Sequence, residues 1–215
     1  MNTDKILYAT DHTLLSQCAT EDEIKKIIDE AEEFSCASVC IPPYYVPFAK
    51  EYARGRVKIC TVIGFPNGYN TTSVKVYEAE ESARLGADEI DMVINLGLVK
   101  TGRWNDILNE INAIKTAIGD KILKVIIETG LLSENEKIKM CEIVASSDAD
   151  FIKTSTGFAG GGATREDVAL LKAHCKGKLV KAAGGIKTLE DAEDFIALGA
   201  DRLGSSRIVN LVKSK

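Results

Sequence analysis

Short apolar runs alternate with amphipathic stretches along the whole chain, and no other feature limits its folding so tightly. Apolar runs at residues 6–10, 37–41, 57–65, 89–95, 122–128, 151–155, 179–183 and 202–204 read as strands. Between them, helical patterns cover about residues 20–34, 46–53, 72–85, 104–118 and 164–174, with further helices opening at Ser133 and Thr188. Thr20 with Glu23, and Ser133 with Glu136, have the spacing of capping boxes. The helix exit Gly86-Ala87-Asp88 recurs as Gly199-Ala200-Asp201 and, weakened, as Asp148-Ala149-Asp150. Strict strand–helix alternation predicts parallel strands buried on both faces. Eight such units within 215 residues predict an α/β chain folded as a single-domain (β/α)8 TIM barrel over residues 1–215. The rival, a doubly wound sheet, usually carries a glycine-rich turn after its first strand; here Asp11-His12-Thr13 stands in that place.

In two of these runs a lysine sits close to the loop that follows. Lys153 lies in Phe151-Ile152-Lys153-Thr154-Ser155-Thr156-Gly157-Phe158, and Lys181 in Leu179-Val180-Lys181-Ala182-Ala183. A buried ammonium must be paired or give up its proton. Strand alternation points Glu89, Asp91, Val93 and Asn95 inward, with Lys124, Glu128, Lys153 and Lys181 on the inward parity of their own strands. One reading is an ion-pair layer that holds register and does no chemistry. The other is amine catalysis. A free lysine is only about 0.1% neutral at physiological pH, and a cationic neighbour together with burial can drive one of two lysines neutral. The neutral amine would attack an aldehyde and form a Schiff base, whose nitrogen draws electrons from the adjacent carbon–carbon bond. A carboxylate such as Asp91 would move protons with a water. Spacing alone does not say which lysine is the nucleophile.

The loops Gly184-Gly185-Ile186-Lys187-Thr188 and Gly204-Ser205-Ser206 follow the seventh and eighth strands, the usual phosphate seat of such a barrel. Net charge is −5 with no long basic run, which argues against nucleic acid or an anionic membrane as partner. No apolar stretch is long enough to span a bilayer, and the first residues lack a signal-peptide pattern, so a cytoplasmic location is expected. The six cysteines form no CxxC pair and read as reduced structural thiols. The two histidines, His12 and His174, fit no metal motif, and no metal is expected.

These motifs, with Asp11-His12-Thr13-Leu14-Leu15, Val39-Cys40-Ile41-Pro42, Glu89-Ile90-Asp91-Met92-Val93 and Leu123-Lys124-Val125-Ile126-Ile127-Glu128-Thr129, resemble class I deoxyribose-phosphate aldolases over nearly the whole chain. The resemblance implies reversible cleavage of 2-deoxy-D-ribose 5-phosphate to acetaldehyde and D-glyceraldehyde 3-phosphate, with neither metal nor organic cofactor. It assigns the Schiff base to Lys153, the role of cationic neighbour to Lys181 and proton transfer to Asp91. It also implies that Asp11, Thr13 and Cys40 line the site, with Thr156, Gly157, Gly184, Gly185, Lys187, Gly204, Ser205 and Ser206 around the substrate and its phosphate. One branch of the family has a basic residue directly after the Thr-Gly of the lysine motif; Phe158 stands there instead. The expected partners are a small sugar phosphate and aldehydes, with a homodimer or other homo-oligomer admitted. Three alternatives stay open: another Schiff-base aldolase or transaldolase, a non-catalytic sugar-phosphate-binding barrel, and a metal-dependent aldolase that a chelator would silence.

Overall fold

The strand runs are rich in Ile and Val, whose branched side chains suit a pleated surface packed on both sides. In the computed structural model, which describes residues 3–214, they form β1 (Thr10–Thr13), β2 (Ser38–Ile41), β3 (Ile59–Ile63), β4 (Glu89–Val93), β5 (Ile122–Ile126), β6 (Phe151–Lys153), β7 (Leu179–Ala183) and β8 (Arg202–Ser205). Every neighbouring pair is parallel, the order follows the chain, and β8 closes onto β1. The barrel expected from the alternation is the one observed.

The helices begin where their caps predict. Thr20, Ser133 and Thr188 each close a capping box, with Glu23, Glu136 and Asp191 respectively. Helix Trp104–Ile118 shows why these segments pack as they do: Ile107, Ile111, Ile114 and Ile118 recur at three- and four-residue spacing and are all buried. The recurring aspartate exits form a repeated joint. Asp88, Asp150 and Asp201 accept the backbone N–H of Ile59, Leu123 and Val180, at 2.9, 2.8 and 2.9 Å. Each of these aspartates thus ties the start of an even-numbered strand to the start of the strand before it. Each also meets a lysine from a helix, respectively Lys50, Lys115 and Lys172.

The expected first strand is a correction. Residues 6–10 are not one strand: Thr3–Tyr8 is a helix that buries Ile6 and Leu7, and β1 starts only at Thr10. Five residues with two adjacent apolar side chains fit either period, and packing decides between them. The shift puts Asp11 and His12 inside a strand. At the other strand ends, β3 stops at Ile63 because Gly64 takes φ 58°, and β5 stops at Ile126, two residues short of Glu128. Two further short helices, Leu96–Lys100 and Ile208–Lys213, were not foreseen. No helix among the described residues is long and apolar enough to cross a membrane.

Lys75 and Glu110 form a buried ion pair outside the barrel interior. Lys75, fully buried, donates to the Val93 carbonyl and to Glu110 Oε2, both at 2.9 Å. Removing one partner of a buried pair leaves the other charge without compensation, at a cost of about 3–5 kcal/mol. Glu110→Gln is therefore expected to lower the urea midpoint strongly, and Lys75→Met with Glu110→Leu together to recover most of that loss.

Candidate active site

Strand register assembles the charged interior. Lys153 and Lys181 are direct partners across β6 and β7, Lys181 pairs with Arg202 across β7 and β8, and Asp91 with Lys124 across β4 and β5. All of these side chains point into the barrel and meet at its centre. Lys153 Nζ and Lys181 Nζ each lie 2.7 Å from the same oxygen, Oδ2 of Asp91. The other Asp91 oxygen takes Lys124 Nζ at 2.9 Å and the Cys60 thiol at 3.2 Å. Lys181 pairs with Asp11 as well, and Arg202 bridges Asp11 and Glu89. Lys124 reaches Glu89 at 2.6 Å and Asp11 at 3.5 Å. Phe151 floors the cluster, with the Arg202 guanidinium 5.4 Å from its ring centre.

The electrostatics follow from this crowding. Burial alone would push the Asp91 carboxyl up, but Lys124, Lys153 and Lys181 outweigh it and hold it well below the usual carboxylate range. The same balance lowers Asp11, through Lys124, Lys181 and Arg202. Burial disfavours the charged form of Lys181, yet Asp11 and Asp91 together raise its affinity for a proton. Four cationic side chains (Lys124, Lys153, Lys181, Arg202) therefore face three carboxylates (Asp11, Glu89, Asp91). Lys124, Lys181 and Arg202 each touch two or more of those carboxylates, whereas Lys153 touches Asp91 alone. The cations thus exceed the carboxylates by one, and Lys153 has the fewest anionic contacts of the four.

Above the cluster, at the C-terminal ends of the strands, opens a cavity of about 570 Å³. Lys153 is the cluster member on its wall, while Lys181, Asp91 and Lys124 are wholly buried beneath it. Thr13, Thr156, Gly157, Gly184, Gly185, Lys187, Gly204, Ser205 and Ser206 all line it. Gly184 and Gly185 take φ 76°, and a Cβ at Gly184 would come within 3.1 Å of the Gly162 backbone, so the two loops touch only because glycine stands there. Asp11 and Cys40, expected on the wall, are buried below it, Asp11 one inward position beneath Thr13. Arg207 joins Lys187 on the cavity wall as a second cation, and Arg202 and Glu89 complete the cluster; none of the three was assigned a role from sequence. Inward parity along β8 places Arg202 with Gly204 and was the available signal for Arg202. His12 does not line the cavity; its Nε2 meets Glu30 at 2.8 Å on the helix side of β1.

Among the described residues, Cys40, Cys60 and Asp91, and likewise Asp11, Cys60 and Glu89, come close enough to share a metal ion. The Lys124 ammonium already sits among those carboxylates, which makes the donor set a poor fit for a cation.

A closed parallel barrel with amines and carboxylates gathered under a glycine-lined mouth is the architecture of a TIM-barrel enzyme. The sequence profile described as DeoC/LacD family aldolase matches residues 5–204, and the chain belongs to that family. A deoxyribose-phosphate aldolase of Clostridioides difficile (strain 630) is 56% identical over 211 residues, covering 98% of this chain and 96% of its own. A solved structure described as QR15, an aldolase, superposes with a TM-score of 0.93 at 42% identity, over 97% of this chain and 95% of that one. The deoxyribose phosphate aldolase of Aeropyrum pernix, described as a tetramer, gives 0.90 at 30% identity, over 99% and 92%.

Proposed function

We propose that this enzyme reversibly cleaves 2-deoxy-D-ribose 5-phosphate into acetaldehyde and D-glyceraldehyde 3-phosphate through a Schiff base on Lys153. The observation that carries the assignment is that Lys153, and not Lys181, lines the cavity while both share one oxygen of Asp91. Lys181, held by Asp11 and Asp91, stays cationic, and its charge keeps the excess proton off Lys153. The neutral Lys153 amine adds to the sugar aldehyde. Loss of water gives the iminium, which takes the electrons of the breaking carbon–carbon bond. Asp91, with a water, carries protons to and from the departing oxygen and the enamine carbon. Lys187, Arg207 and the backbone N–H groups of Gly184, Gly185, Ser205 and Ser206 would seat the phosphate.

The family relatives named for this reaction support the substrate, and the free state of all six cysteines supports a reducing, cytoplasmic setting. Self-association into a homo-oligomer is proposed on the Aeropyrum pernix precedent. Product analysis tests the substrate. Deoxyribose 5-phosphate is expected to yield acetaldehyde, and fructose phosphates to yield no triose at comparable rates. The reverse preference would assign the chain to another Schiff-base aldolase.

A further inference from the structure

Strand β6 is three residues long, and its ladder with β7 ends just past the two lysines. The last regular bond runs from the Thr154 N–H to the Lys181 carbonyl, at 3.0 Å. A parallel ladder would next give the Ala183 N–H to the Thr154 carbonyl, and the Thr156 N–H to the Ala183 carbonyl. Both of those partners are engaged elsewhere. The Thr154 carbonyl accepts the Thr129 N–H at 2.9 Å, on the side of β5. The Thr156 N–H points to Glu128, whose backbone sits at φ 52° and whose carboxylate oxygens lie 3.3 and 3.2 Å away. Ala183 is buried, and a buried backbone group without a partner is costly. One side chain fills the gap. The Thr154 hydroxyl accepts the Ala183 N–H at 3.1 Å and donates to the Ala183 carbonyl at 3.2 Å.

Ala183 immediately precedes Gly184-Gly185, and it also holds the far end of the segment that follows Lys153. The Ala163 N–H donates to the Ala183 and Gly184 carbonyls, at 3.0 and 3.1 Å. Segment 154–163 therefore leaves from Ala183 and returns to it. Lys153 and the glycine pair are two walls of one cavity, and Thr154, wholly buried and outside that lining, joins them. We infer that Thr154 is a positioning residue: its hydroxyl fixes the spacing between the Lys153 amine and the seat proposed for phosphate at Gly184 and Gly185, and so sets the preference for a phosphorylated sugar. The inference rests on the aldolase reading of the site.

The test compares cleavage of 2-deoxy-D-ribose 5-phosphate with that of 2-deoxy-D-ribose, which has no phosphate to align. The native enzyme is expected to favour the phosphorylated sugar by about 10²-fold or more in kcat/KM, because phosphate binding holds the aldehyde end at Lys153. Thr154→Val keeps the shape of the side chain and removes both hydrogen bonds. It should cut that preference by about tenfold or more. Its kcat/KM for deoxyribose should stay within about threefold of native, and borohydride should trap acetaldehyde on the enzyme at the native rate. Thr154→Ser retains the hydroxyl and should keep the native preference. If Thr154→Val does not fold, Thr154→Cys, whose thiol is a weak donor and acceptor, carries the same comparison. Equal losses on the two sugars, an intact preference without the hydroxyl, or the same defect in Thr154→Ser would overturn the inference. A native enzyme that cleaved neither sugar would instead sink the aldolase reading itself.

Discussion

Lys153→Met is expected to lower kcat for deoxyribose 5-phosphate cleavage by about 10⁴-fold or more, because the covalent route has no substitute once its amine is gone. The same substitution should leave the fold intact or make it firmer. Lys153 contacts one carboxylate only, and its loss leaves three cationic side chains facing three carboxylates at the barrel centre. Most deletions of a buried charge abandon a partner, but Asp91 keeps Lys124 and Lys181. The informative result is therefore a pair of measurements: activity at background, with a melting temperature equal to or above that of the native enzyme. Residual turnover within a hundredfold of native would mean that another amine carries the chemistry.

The second large effect belongs to Lys181→Leu. This change also leaves three cations against three carboxylates, but now the lysine that faces the substrate is among those needed for balance. The cluster no longer gains by shedding a proton, and Lys153 keeps its own. At neutral pH kcat/KM should fall by about 10²–10³-fold. Because the defect lies in protonation, raising the pH should restore part of the rate, and the pH–rate profile should move toward alkaline pH by at least about one unit. The native Lys181 does not itself titrate in this range. Asp11 and Asp91 raise its proton affinity above that of a free lysine, so its charge persists through neutral pH and is lost only as pH climbs past its elevated folded value. A Lys181→Leu enzyme with an unchanged profile would show that the neighbouring charge does not control the nucleophile.

Much of this site could be read in the sequence, because a strand turns inward every second residue. That rule alone collected Asp91, Lys124, Lys153 and Lys181, and the barrel brings them to one point. Asp11 was placed beyond the first strand rather than in it, because Ile6-Leu7 is too short to show a period. Its place as the second anchor of Lys181 followed only once Thr10 opened β1. Glu128 was read as the end of a strand. Left-handed backbone at a residue with a Cβ has no reliable mark in sequence, and here it is held by contacts with the loop after β6, far along the chain. The sequence suggested two lysines acting on each other directly; the structure puts the Asp91 carboxylate between them, so the excess charge belongs to the whole cluster. Distances across a barrel interior decide which oxygen serves which amine, and no local pattern encodes them.

The most direct test of the account is borohydride reduction with deoxyribose 5-phosphate present, followed by peptide mapping. A stable adduct on Lys153, absent without substrate, is the predicted result. An adduct on Lys181 or Lys124, or none at all from an enzyme that still cleaves the sugar, would contradict it.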